Sequence, residues 1–270
     1  MKKIAVITIH GMGDTKRGYA NQIRRDLSDR VGKNAWANDI HFFPIYFQDK
    51  LQANQEAVWG RTKSHVDWMK LRKFLLYGFS DAASLESNKQ SANSKYTQVQ
   101  QLILDAMIDA FNAIGQRAGP VVLIAHSLGC QVLSNYIWDA TRRGAATAGI
   151  WKRQPPGIPA GSALNRFARG KTVKRFFTTG CNIPIFVSGH DVIKPIPKLN
   201  NDFQWHNYYD EDDVLGWPLK PLSDEYRNRV KDHEMNAGGL FKSWNPMSHG
   251  EYWKDSDFLA PVSSYIRTLI

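Results

Sequence analysis

The chain has 270 residues, 43% of them hydrophobic and 12% aromatic, with a formal net charge of +10 at pH 7. That composition supplies a core and excludes global disorder. The longest apolar runs, IAVITI and VVLIA, are strand-sized, far short of the roughly 18–20 residues that span a bilayer. One α/β domain over 1–270 is expected at this length.

The opening MKKIAVITIHGMG pairs two lysines with an apolar run, as a signal peptide does. The run is only six residues long, lacks a small-residue cleavage site and continues straight into HGMG, so it reads as a first strand, Ile4 to Ile9. Tyr19 to Val31 carries Ile23, Leu27 and Val31 four apart, which predicts a helix. Ile40 to Phe47, IHFFPIYF, is strand-like, with Pro44 marking an edge or a bulge. From about 48 to 95 the rhythm breaks. Trp59, Trp68, Leu71, Leu75 and Leu76 lie among Arg61, Lys63, Lys70, Arg72 and Lys73, and polar SLESNKQSANSK follows. This reads as a helical, lid-like insertion with a mobile tail. A long helix is expected over Thr97 to Ala118, then the most buried strand, Val121 to Ala125, then a helix over Leu128 to Arg142. A Gly-, Pro- and base-rich loop or cap covers about 142–175. Lys174 to Thr179 and Ile185 to Ser188 are apolar runs, Trp205 to Tyr209 is a strand candidate, and Phe258 to Ile270 closes the chain as a helix. Alternating strands and helices predict a mostly parallel sheet covered on both faces.

The charge is unevenly spread. No acid occurs between Asp139 and Asp191, while Arg142, Arg143, Lys152, Arg153, Arg166, Arg169, Lys171, Lys174 and Arg175 fall there. Such a segment suits either a solvated loop or contact with an anionic membrane surface. No zinc-finger, RRM or helix-turn-helix signature accompanies it, so nucleic acid is not an expected partner. Cys130 and Cys181 read as free thiols of a cytoplasmic protein, and no disulfide framework is suggested.

The chemistry concentrates in two strand ends. In Ala125-His126-Ser127-Leu128-Gly129 a buried strand turns directly into a helix, with the serine at the apex. This is the G-x-S-x-G arrangement with Ala125 in the first glycine's place, and it aims the hydroxyl out of the sheet. A serine needs a base and an oxyanion stabiliser to act as a nucleophile. The first strand ends in His10-Gly11-Met12-Gly13, whose glycines let the backbone approach a ligand. The Met12 and Leu128 amides are the candidate oxyanion donors, and His10, Gly11 and Gly13 form the substrate loop.

HGMG, AHSLG and a later Asp and His in that order resemble the α/β-hydrolase superfamily, in which the triad runs Ser…Asp…His along the chain. More loosely, TTGCNIPIF, HNYYDEDDVLGWPL and SHGEYW are similar to DDHD-type phospholipases and GPI-inositol deacylase-like enzymes. The resemblance runs at intervals from residue 4 to about 253 and leaves out 48–95 and 144–172. It implies the α/β-hydrolase fold and a base carried on a loop over the sheet edge. His249, in Pro246-Met247-Ser248-His249-Gly250, fits that place, with His233 as its rival. Two acids compete. Asp191 follows PIFVSGH in an apolar strand, glycine, acid pattern; the resemblance instead places the acid at Asp213, within the cluster Asp210-Glu211-Asp212-Asp213. That cluster also suits an ordinary solvated turn.

His206, Asp210, Asp212 and Asp213 are close enough in sequence to hold a cation, but no CxxC or HExxH supports a metal. GxGxxG is absent, which argues against a dinucleotide. The expectation is a cofactor-free serine esterase acting on a small-molecule or lipid ester through Ser127, His249 and Asp213. The alternatives are a thioesterase, amidase or transacylase with the same machinery, and a non-catalytic scaffold that keeps the fold.

Overall fold

The computed structural model describes residues 1–142, 144–237 and 248–270; Arg143, Pro246 and Met247 lie outside the described residues. In chain order the elements open with β1 (Ile4–Ile9), α1 (Asn21–Val31), α2 (Lys33–Asp39) and β2 (Ile40–Ile45). The insertion holds α3 (Gln52–Thr62) and α4 (Met69–Glu86), and α5 (Lys95–Ala113) follows. Next come β3 (Val121–His126), α6 (Leu128–Thr141), α7 (Ala163–Ala168), β4 (Val173–Thr179) and α8 (Ile183–Val187). The chain closes with β5 (Gln204–Tyr209), α9 (Asp224–Arg229), β6 (Val230–Glu234) and α10 (Ser256–Arg267).

The six strands form one parallel sheet in the order β2-β1-β3-β4-β5-β6. Strand residues point alternately to opposite faces, so a sheet covered on both sides needs unbroken apolar runs. β1 and β3 supply them. Ala5, Ile7, Ile9, Val121, Leu123 and Ala125 pack into one core, against α5 and α6. Ile4, Val6, Val122 and Ile124 pack into the other, against α1 and α10. Pro44 lies on β2, an edge strand, where proline is tolerated. No helix among the described residues is long and apolar enough to cross a membrane.

Several local readings need correction. The helix expected to reach Ala118 ends at Ala113, because Gly115 (φ 79°) and Gln116 (φ 57°) turn left-handed. α2 and β6 had no apolar pattern to announce them. The run Ile185 to Ser188 is not a strand: Pro184 sits in the first turn of α8, where a fixed φ favours a helix. The segment 144–172 is mostly loop but contains α7, capped by the Ser162 hydroxyl.

One close approach positions everything at the strands' carboxyl ends. A Cβ on Gly129 would collide with the His10 carbonyl oxygen and lie 2.9 Å from Ile9 Cγ2. The bare glycine lets the start of α6 press against the end of β1. Ala ordinarily beats Gly inside a helix by up to about 1 kcal/mol, but here the neighbour is backbone and cannot swing aside. Gly129→Ala is therefore expected to lower the urea midpoint; an unchanged or higher midpoint would show that the contact yields.

Candidate active site at the carboxyl ends of the strands

Ser127 occupies the turn between β3 and α6 with φ 52° and ψ −125°, a conformation costly for any residue bearing a Cβ. It is held there from both sides: its N–H donates to the Thr179 carbonyl at 2.9 Å, and its own carbonyl accepts from Cys130 N–H at 2.9 Å. A Cβ on Gly11 would stand 2.6 Å from Ser127 Cβ, so only glycine fits opposite the serine. The Ser127 side chain is 1% exposed, and its hydroxyl has no hydrogen-bond partner among the described residues.

The loop after β1 is fixed by two buried groups. His10 receives the Phe47 N–H on Nε2 at 3.1 Å, which leaves Nδ1 as the protonated nitrogen, 2.7 Å from the Gly11 carbonyl. Its ring stacks on Phe47 at 4.1 Å. Burial lowers the His10 pKa to about 4, so the ring is neutral at pH 7. Asp81, on α4, accepts the Gly13 N–H at 3.0 Å and is itself 0% exposed. Gln55 Nε2 donates to Asp81 at 2.5 Å and Gln48 Nε2 at 3.3 Å. Between these anchors the Met12 N–H, like that of Leu128 at the start of α6, donates to no other group among the described residues.

His249 faces Asp213: Nδ1 donates to Oδ2 at 2.7 Å, with both side chains buried. Tyr252 Oη donates to the same oxygen at 2.9 Å, and Leu215 N–H to Oδ1 at 3.0 Å. Burial pushes the Asp213 carboxyl upward, but the bond to His249, its charge and the two further donors outweigh it and leave the pKa below the ordinary carboxylate range. With Nδ1 protonated, His249 Nε2 is the open acceptor, and it has no partner among the described residues. A Cβ on Gly216 would sit 2.5 Å from Asp213 Oδ2, and one on Gly180 would sit 2.9 Å from the His249 ring. Glycine makes room for both members of the pair.

Ser127, His249, Met12, His126, Phe74 and Trp253 all line one cavity of about 460 Å³. The other candidates fall elsewhere. Asp191 is exposed, because PIFV forms α8 rather than the strand its pattern suggested. His233, on β6, contacts His206 Nδ1 at 2.9 Å and stacks on Tyr208 at 4.6 Å. The acidic cluster divides: Asp213 meets His249, Asp210 accepts the Asp212 and Ala237 amides, and Glu211 and Asp212 are exposed. Among the described residues no cluster of His, Cys, Asp or Glu is placed to hold a metal ion. Cys130 and Cys181 are free and buried.

Three residues escaped the sequence reading. Asp81 sits in the insertion, 68 positions from the glycine it holds. Tyr252 is an ordinary aromatic until the fold points its hydroxyl at Asp213. His126, beside the serine in the turn, lines the same cavity and lies 4.6 Å from the His249 ring. Thr179 holds it through its carbonyl and hydroxyl at 3.2 Å, and the same hydroxyl accepts Trp253 Nε1–H at 3.0 Å.

A parallel sheet in this order, with a strained serine where β3 turns into α6, defines the α/β-hydrolase fold. No protein-family model and no curated protein matches the chain. Among solved structures it is similar to esterase PE8, at 12% identity and a TM-score of 0.42 over 100% of this chain and 94% of that one. It is also similar to an inhibited form of esterase B from Lactobacillus rhamnosis, at 11% identity and a TM-score of 0.46 over 99% of this chain and 76% of that one. Likenesses this distant carry no chemistry across, so the site must be read from its own geometry.

The buried histidines make stability depend on pH. Burial lowers the pKa to about 4 in His10, and burial followed by the His249 charge lowers it to about 3 in His126. His206 is also lowered, to about 4. Each is neutral in the fold but takes a proton near pH 6.5 once unfolded. The stability they contribute is complete above about pH 6.5 and is lost as pH falls toward 4, at up to about 1.4 kcal/mol per pH unit for a fully buried group such as His10. The raised carboxyl of Asp81 acts in the opposite sense over the carboxylate range. Urea unfolding between pH 6.5 and 5 should show stability falling with pH, less steeply in His10→Gln; equal slopes would refute the assignment.

Proposed function

We propose that the protein is a serine hydrolase that cleaves carboxylic esters through an acyl-enzyme intermediate. The observation that carries this reading is a complementary pair of buried, unpartnered groups. Among the described residues the Ser127 hydroxyl is a donor without an acceptor, and His249 Nε2 is an acceptor without a donor; both residues line one cavity, and the contact with Asp213 favours the tautomer with Nδ1 protonated.

In the proposed reaction Ser127 Oγ attacks the ester carbonyl carbon while His249 Nε2 takes the hydroxyl proton. The Met12 and Leu128 amides receive the developing oxyanion. Collapse breaks the bond to the alkoxide oxygen, His249 returns the proton to the leaving alcohol, and the acyl group stays on Ser127. A water then attacks the acyl carbon while His249 takes its proton; collapse breaks the bond to Ser127 Oγ, His249 returns the proton to that oxygen, and the acid leaves. Asp213 remains ionised and stabilises the imidazolium. Its lowered pKa supports that role. No resident metal or cofactor enters this scheme. The same steps would serve a thioester or amide, and a panel of soluble esters, thioesters and amides ranked by kcat/KM separates them.

The insertion is part of the same proposal. Phe74 of α4 lines the cavity, which supports a role in holding the acyl or alcohol part of the substrate. Phe74→Ala should change the preference between short and longer p-nitrophenyl esters; an unchanged ranking would remove α4 from substrate selection.

Ser127→Ala should cut kcat on p-nitrophenyl butyrate by at least about 10³-fold and abolish labelling by a fluorophosphonate probe. Asp213→Asn should cost about 10²–10⁴-fold, and Asp191→Asn should leave the rate unchanged. Full activity in Ser127→Ala would end the proposal. A wild-type protein that the probe does not label would point to a scaffold without chemistry.

A further inference from the structure

The apolar surface of helix α4 extends beyond the face it buries. Its inner face buries Tyr77, Gly78, Asp81 and Leu85. At 3.6 residues per turn, Leu71, Leu75 and Phe79, spaced four apart, form a stripe that flanks this buried face on one side, and Trp68 stands at the helix's start. These are exposed: Trp68 by 77% and Phe79 by 70%, with Leu71 and Leu75 also open. The backbone of Trp68 is left-handed (φ 57°). The two aromatics stand about 16 Å apart along the axis. A helix on a protein surface ordinarily turns polar residues outward, and an apolar stripe of this kind marks a contact.

The charges around the stripe say which contact. Arg61, Lys63, Lys70 and Arg72 are exposed and have no partner among the described residues, while Lys73 pairs with Asp14. Asp67 is the acid between Arg61 and Lys73. In the acid-free segment 140–190 several bases are instead engaged by the fold, although Arg153 and Lys171 are exposed without a partner among the described residues. Lys174 pairs with Asp202, Arg175 lies over the Tyr265 ring at 3.9 Å, and Arg169 lies over Trp151 at 4.3 Å. A second copy of the chain would bring the same cations against themselves. Exposed aromatics bordered by unpaired Lys and Arg suit an interface of apolar chains beneath anionic headgroups.

We infer that the outward face of α4 is a docking surface for an anionic lipid–water interface. The helix is fixed to the site it serves. A Cβ on Gly78 would lie 2.5 Å from Met12 Sδ, Asp81 holds the Gly13 N–H, and Phe74 lines the cavity. Docking through Trp68 and Phe79 therefore sets the cavity beside the lipid surface. Resting on the hydrolase reading above, the substrate class becomes an ester drawn from a lipid layer.

Ser127→Ala protein, which leaves the vesicles chemically intact, is sedimented with phosphatidylcholine vesicles and with the same vesicles containing phosphatidylglycerol. Binding should require the anionic lipid and weaken with salt, and adding Trp68→Ser and Phe79→Ser should lower it about tenfold or more. On otherwise wild-type protein, the two substitutions should leave fluorophosphonate labelling and p-nitrophenyl butyrate hydrolysis unchanged, which shows an intact fold. Four results overturn the inference: no vesicle binding, equal binding to both vesicle types, equal binding by the variant, or a dimer in light scattering that the variant abolishes. Failure of the probe to label wild-type protein while vesicle binding persists removes the hydrolase reading and leaves the docking surface standing.

Discussion

The backbone of Ser127 is the constraint on which the site depends. A residue with a Cβ does not enter φ 52°, ψ −125° without being forced. The forcing comes from both sides of the turn: β3 is locked between β1 and β4, and α6 begins at once behind it. Closeness is the means. Gly11 and Gly129 are positions where a methyl group would strike the serine or the end of β1. These glycines convert sheet packing into a fixed position for one hydroxyl.

The same economy of space explains the pairing of His249 with Asp213. Asp213 could not receive His249 and Tyr252 on one oxygen if residue 216 carried a side chain, and His249 could not lie where it does if residue 180 did. Burying an aspartate among apolar neighbours is costly. His249, Tyr252 and the Leu215 amide offset that cost by direct contact, and the balance is a carboxyl below its usual pKa. Had burial won, the group would protonate more readily and could no longer keep the proton of His249 on Nδ1. The electrostatic balance at Asp213 therefore decides which nitrogen of His249 is left as the open acceptor.

What could be read from the sequence follows how local each feature is. β1 and β3 are legible because both faces of a central parallel strand are buried, which leaves an unbroken apolar run. The serine turn is legible because its small residues adjoin the serine in sequence. Among the described residues β6, VKDHE, pairs with β5 alone; it is largely polar, so nothing in its composition marks it. α8 misleads because an apolar run of five suits a strand or a helix, and Pro184 decides for the helix only through its place in the first turn. Asp81, Tyr252 and His126 act through contacts that the folded chain creates, and no spacing in the sequence encodes those.

Asp81 also constrains what the insertion can be. Its carboxyl is buried among neutral donors, with Gln48, Gln55 and the Gly13 amide in place of a cation, and burial raises its pKa. A swinging lid would have to break these contacts and leave the Gly13 N–H and two glutamine amides without an acceptor, at about 1–3 kcal/mol for each group left buried. With Gly78 pressed against Met12 on the preceding turn, the inner face of α4 is tied to the loop after β1 at two points. Motion of the helix as a body would move the Met12 amide with it. The insertion is thus better understood as a wall of the site than as a cover over it. Any pressure on its apolar outer face is transmitted to the groups proposed to hold the oxyanion.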